Sequence, residues 1–219
     1  MNEIVENITK CKKCQRLVNF REKIALEKRK QFINQNYWGK PVSGFGDKNA
    51  EIMLLGLAPA AHGGNRTGRL FTGDKSAEFL FKCLYEAKLA NQSFSLCKND
   101  GLKLKNMFIT AALKCVPPFD KPKSEELNKC FKYLELEIKS LKKMKTIVTL
   151  GRIAFLSTLK FFELKPKDFK FVHGATYLIK DKINLVACYH PSPRNVNTKR
   201  INKEGMIELL QNVKKLNAK

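Results

Sequence analysis

Apolar residues along this chain gather in short runs, separated by stretches with helical spacing. "IMLLGL", "NMFITAALKC", "TIVTLG" and "INLVACYHP" are nearly free of charge. Runs of that length bounded by turn residues read as strands buried on both faces. "CQRLVNFREKIALEKRKQF" places Leu17, Phe20, Ile24 and Phe32 on one helical stripe. Further helices are predicted from about Ser76 to Lys88, from Ser124 to about Lys142, over "RIAFLSTLKFF", and from Ile201 to about Leu216. Ser124 reads as an N-cap, with Glu125 and Glu126 in the first turn. "FKFVHGATYLI" suggests a small hairpin turning at His173 and Gly174, whereas residues 34–50 read as irregular. Alternating strands and helices predict an α/β fold around a parallel sheet covered on both sides. With no internal repeat and no low-complexity linker, one domain over residues 1–219 is expected.

Two segments are too long or too unusual to be mere connectors. "GLAPAAHGGNRTGRLFTGD", Gly56 to Asp74, follows a strand and precedes a helix, where about two to six residues normally suffice. It holds one aromatic residue, Phe71, among glycines that permit close backbone approach, and Arg66 and Arg69 offer phosphate contacts. "YHPSPRNVNTKR" begins with His190 at a strand end, before a rigid Pro-Ser-Pro turn. A lone histidine is more often structural than functional, but both segments leave the carboxyl ends of strands, where ligands bind in such sheets.

Charge adds a candidate partner. The chain carries 42 Lys and Arg against 20 Asp and Glu, a net +22 with a pI near 9.8. Such an excess favours a polyanion through counterion release and steering. A lysine-rich surface also serves plain solubility, and charge alone does not separate DNA from RNA or membrane lipid. No apolar run approaches the length of a membrane span and the start lacks a signal-peptide core, so a soluble cytoplasmic protein is expected. No Lys-Ser or Lys-Thr follows the glycines, so the loop is not a P-loop.

The seven cysteines are an odd count without a secretory signal, which argues for reduced thiols or a metal site. Cys11 and Cys14 have ligand spacing; Cys115 opens a proline-rich loop, and Cys130 lies early in the following helix. Four soft ligands suit zinc or an iron–sulfur cluster, and spacing leaves that choice open. Cys83, Cys97 and Cys188 read as ordinary thiols.

The loop 56–74 and the segment "HPSPRNVNT" resemble the two signature motifs of the uracil-DNA glycosylase superfamily, in the form of its family 5. "CKKCQRLVNFRE" with Cys115 and Cys130 resembles the [4Fe–4S] ligand pattern shared by families 4 and 5. The resemblance implies a three-layer α/β/α sandwich around a mainly parallel four-stranded sheet, with residues 1–50 contributing cluster ligands. It also implies a monomeric repair enzyme, with no membrane partner. That enzyme flips uracil, or another deaminated base such as hypoxanthine or xanthine, out of double- or single-stranded DNA and leaves an abasic site. Phe71 matches the ring that stacks on the flipped base, and His190 the donor to the leaving base. Backbone around Gly56, Ala58 and Ala60 would line the pocket. Ser192, Arg194 and Asn195 would grip phosphates and present a strand wedge. Cys11, Cys14, Cys115 and Cys130 would hold the cluster. Three positions depart from wider patterns: Ala58 replaces the usual water-positioning residue, Ala111 a base-reading Asn of family 4, and Lys199 a common Gly. Water positioning therefore falls to Asp74, Asn65, His62 or Asp120, with Asp74 and Asn65 favoured. The alternative class is a non-catalytic nucleic-acid-binding protein with a structural zinc or iron–sulfur site.

Overall fold

The computed structural model describes residues 1–217. In the first half, α1 (Asn2–Thr9) and α2 (Gln15–Glu27) precede β1 (Phe45–Gly46), β2 (Ile52–Gly56), α3 (Gly64–Thr67), α4 (Lys75–Glu86) and β3 (Met107–Ala111). Then follow α5 (Ser124–Ser140), β4 (Thr146–Leu150), α6 (Arg152–Phe161), β5 (Thr176–Leu178), β6 (Asn184–Cys188), α7 (Pro193–Asn197) and α8 (Lys203–Asn217). The strand order is β1-β3-β2-β4-β6-β5. The four central strands are parallel, and they coincide with the four apolar runs of the sequence. Two short antiparallel strands, β1 and β5, cap the edges, so the sheet has six strands rather than four.

The alternation along each strand sorts side chains into two cores. From β2, Ile52 and Leu54 face α4 and α8, where they meet Leu80, Leu84, Leu210 and Val213. Met53 and Leu55 face the other way, onto Leu134 and Ile138 of α5 and Phe155 and Leu159 of α6. Both faces are covered, which is why no polar residue interrupts β2. A third, smaller core of Ile8, Leu17, Leu113, Cys130 and Tyr133 joins α1, α2 and α5. Among the described residues no helix is long and apolar enough to cross a membrane.

Local expectations need three adjustments. The reversal between β5 and β6 lies at Lys180–Lys182, not at His173–Gly174, and uses positive φ at Asp181 and Lys182 where glycine is more common. The cap of α5 is Lys123: Glu126 reaches back to the Lys123 N–H, and Ser124 is already inside the helix. The long loop contains a helical turn of its own, α3, which ends at Gly68 in the left-handed region.

Candidate active site

The carboxyl ends of β2 and β6 deliver the loop 57–74 and the segment 189–197 to one cavity of about 570 Å3. Leu57, Ala58, Ala60, Phe71, Asp74 and His190 line its interior and Arg29, Lys75, Asp120, Ser192 and Pro193 also border it. The rings of Phe71 and His190 lie 5.9 Å apart between centroids, inclined by 29°. Phe71 takes a φ of +47°, a conformation that bulky residues rarely adopt and that tends to persist at functional sites. Gly56 makes that placement feasible: a Cβ there would come within 2.9 Å of the Phe71 ring. Gly56 thus supports the ring from behind rather than lining the cavity.

His190 is held through its backbone. Its carbonyl accepts hydrogen bonds from Ser192 N and from Asn195 Nδ2, both at 2.8 Å. Ser192 in turn caps α7, its hydroxyl accepting from Asn195 N, with Pro193 at the first helical position. Asn195 thereby positions the histidine, while Arg194 is exposed. Burial pulls the His190 imidazole down to about 4, so the ring is neutral at ordinary pH.

Asp74 sits at the N-cap of α4, where its Oδ1 accepts from Ala77 N at 2.9 Å. Burial raises its carboxyl above the usual aspartate value, backbone N–H groups of Ala77 and Ser76 pull the other way, and the Asp120 charge adds to the rise. Asp74 and Asp120 also line a larger adjoining cavity of about 780 Å3. His62 belongs to that neighbour, its Nδ1 3.0 Å from the Tyr37 hydroxyl, and burial and then Arg29 and Arg66 lower its pKa.

Several expected residues lie elsewhere. Asn65 is fully buried and donates to the Arg21 carbonyl at 3.1 Å, tying the loop to α2 and facing away from the cavity. Ala111 is in the sheet core beneath α4. Arg66 and Arg69 are also buried, because a long loop has carbonyls that need donors. Arg66 bonds the carbonyls of His62 and Gly73, and Arg69 bonds the Lys98 carbonyl, Ser95 and Asp100. Arg29 and Lys75 supply the cations at the mouth. Lys75 adjoins the motif, whereas nothing in the sequence ties Arg29 to it.

Behind the cavity, Cys11, Cys14, Cys115 and Cys130 line one pocket together with Leu17, Leu113, Tyr133 and Arg21. Ala58 packs against this group as well as lining the base-sized cavity, so the two sites share a wall. Burial pushes the Cys115 thiol up to about 11 and the Cys130 thiol up to about 12. Arg21 donates to Cys115 Sγ at 3.0 Å and to the Cys11 carbonyl at 3.3 Å, and its buried Nε has no partner.

The carboxyl ends of the central parallel strands thus bring an aromatic ring, a neutral imidazole and a half-buried carboxylate to one cavity bordered by cations. The family model described as "Uracil DNA glycosylase superfamily" matches residues 43–214. A type-5 uracil-DNA glycosylase of Thermus thermophilus is 44% identical over 97% of this chain and 96% of its own length. One from Pyrobaculum aerophilum is 40% identical over 96% of the chain and 90% of its own. A type-4 enzyme of Archaeoglobus fulgidus is more distant, at 30% over 88% of the chain and 81% of its own. The chain belongs to the uracil-DNA glycosylase superfamily, alongside its type-5 members.

Proposed function

We propose that this uracil-DNA glycosylase acts on double-stranded DNA as a monomer, taking an extruded deaminated base into the cavity that Phe71 and His190 line together and hydrolysing its bond to the sugar. The placing of those two rings side by side on one cavity wall carries the reading. A flipped base stacks on Phe71, and the cations Arg29 and Lys75 meet the backbone phosphates. As the glycosidic bond breaks, negative charge gathers on the departing base. The neutral His190 donates its N–H to the base's carbonyl oxygen, which stabilises that charge. Asp74 is the group that holds and deprotonates the attacking water. Its raised pKa suits a base, and Asp120 lines the same cavity. Alanine at position 58, with Ala111 withdrawn into the core, leaves the cavity without a side chain from either position to read one pyrimidine edge. That supports acceptance of hypoxanthine and xanthine beside uracil.

The test is a duplex with one uracil, incubated with the protein and then treated with alkali. Strand scission only after alkali is expected; intact strands after alkali across uracil, hypoxanthine and xanthine duplexes would overturn the reading.

The acid limb of the rate should belong to Asp74. A base must be ionised, so activity is present above its raised pKa and falls as pH drops through it. We expect a flat rate near neutrality and an acid midpoint above the ordinary aspartate value of about 3.9. Because the His190 imidazole also titrates on the acid side, at about 4, the deciding variant is Asp74→Asn: an acid limb unchanged in its residual activity would assign the limb to His190.

The four thiols fit a [4Fe–4S] cluster. They share one pocket, and the unpartnered Arg21 Nε provides a buried donor beside the sulfurs. Cys11, Cys14, Cys115 and Cys130 would be its ligands, and the cluster would supply cross-linking of α2, the Cys115 loop and α5. Anaerobically purified protein should contain about four iron atoms per chain, and Cys115→Ser should lose iron and visible colour. Stoichiometric zinc in place of iron would refute the assignment.

A further inference from the structure

Phe119 is the most exposed large apolar side chain among the described residues, at 91%. It lies between Cys115 and α5, in "VPPFDKPK", and its φ of +56° is followed by +55° at Asp120. Two consecutive non-glycine residues in the left-handed region are costly for the backbone, and here an aromatic ring gains no burial in return. Exposure of this kind calls for a partner.

The loop is firmly supported. Pro117 is buried, Lys121 N bonds the Pro118 carbonyl at 3.0 Å, and Arg16 Nη2 bonds the Lys121 carbonyl at 3.2 Å. Arg16 also makes two 2.7 Å bonds to Glu126, which in turn accepts from Lys123 N. The backbone reversal sends Asp120 to the wall of the base cavity while Phe119 projects into solvent beside it. Around this lip stand Lys121 and Lys123 from the same loop and Arg29 and Lys75 from the cavity mouth. An apolar ring on a stiff support, set among cations and next to a base-sized cavity, matches a duplex whose base stack is opened at the extrusion point.

We infer that Phe119 is a wedge: when a nucleotide turns into the Phe71–His190 cavity, the Phe119 ring enters the stack beside the gap and holds it open. This lip is separate from the 190–197 segment, so the protein grips the opened duplex from two loops. The inference rests on base flipping into that cavity, and the proposed test separates the two claims.

The experiment compares the full chain with Phe119→Ala and Phe119→Trp. One arm measures kcat/KM on a uracil-containing duplex and on the same strand alone. A single strand has no pairing partner to hold apart, so the duplex to single-strand ratio should fall by about tenfold in F119A and recover in F119W. The other arm places 2-aminopurine next to a fluorinated, hydrolysis-resistant deoxyuridine in a duplex. Binding should unstack the probe and raise its fluorescence in the unchanged chain and in F119W, with most of the rise lost in F119A. An unchanged ratio with an undiminished fluorescence rise overturns the wedge, as does an equal loss on both substrates. If the unchanged chain released uracil from neither substrate, base excision itself would fail, and the fluorescence arm would still decide Phe119.

Discussion

His190→Ala is expected to lower kcat on a uracil-containing duplex by about 10²–10³-fold, the typical cost of losing one donor to a developing anion. Binding to the same duplex should change little, because the cations at the cavity mouth remain. The donor's position is set by its backbone, with Ser192 N and Asn195 Nδ2 both on the His190 carbonyl, so removing the imidazole leaves the turn intact. Asn195→Ala should therefore act in the same direction but more weakly, by letting the segment drift. His190→Gln keeps an N–H near the same place and should recover part of the rate. Single-turnover measurement at saturating protein isolates the chemical step. A His190→Ala protein that folds, binds duplex and releases uracil at the parent rate would remove the imidazole from the mechanism, leaving Phe71 as a platform without its neighbouring donor.

The central sheet was legible because parallel strands covered on both faces read as nearly continuous apolar runs, and β2, β3 and β4 are entirely buried with only Thr110, Thr146 and Thr149 as polar members. The edges were not. β1 has two residues and β5 three, too few to show an alternation. The β5–β6 reversal was misplaced because Gly174 is the obvious turn residue nearby. Gly174 does take a positive φ, yet the chain pays for its tight reversal at Asp181 and Lys182 instead.

The meeting of Phe71 and His190 in one cavity was readable because both of their loops leave the carboxyl ends of strands. The site was misread where the same residue type could serve the protein itself. Arginines in a glycine-rich loop look like phosphate contacts, but Arg66 is spent on that loop's own carbonyls and Arg69 on Ser95, the Lys98 carbonyl and Asp100. Asn65 looked catalytic for the same reason and is instead a tie to α2. Of Asp74 and Asn65, the first lines the cavity and the second is buried against Arg21. Arg29 comes from the segment after α2, so its place at the cavity depended on tertiary packing.

Glu137→Ala should be the most destabilising single change outside the active site. Glu137 and Lys114 form an ion pair with both side chains almost entirely buried, at 1% and 2% exposure. The pair is fully bonded: Lys114 Nζ also donates to Thr110 Oγ1 and the Ala111 carbonyl, and Glu137 Oε1 accepts from Gly44 N at 2.7 Å. Glycine at 44 allows that approach, since a Cβ would meet the Phe108 ring at 2.4 Å. One carboxylate thus fastens α5 to β3 and to the segment before β1. Its removal strands an ammonium in the core and frees the Gly44 N–H, a loss of about 3–5 kcal/mol. For a chain of this length each kcal/mol corresponds to about 2–4 °C in Tm, so scanning calorimetry should show a fall on the order of 6–20 °C. Replacing both partners, with Lys114→Met and Glu137→Leu together, should recover most of it, because apolar groups remove the charge as well as its partner. A single variant that melts within about 2 °C of the parent, less than the shift of one kcal/mol, would mean that the ammonium finds another counter-charge or water. Lys114 also gives its backbone N–H to Cys130 Sγ at 3.3 Å. The same substitution should therefore loosen the thiol pocket behind Ala58, and through that shared wall the base cavity.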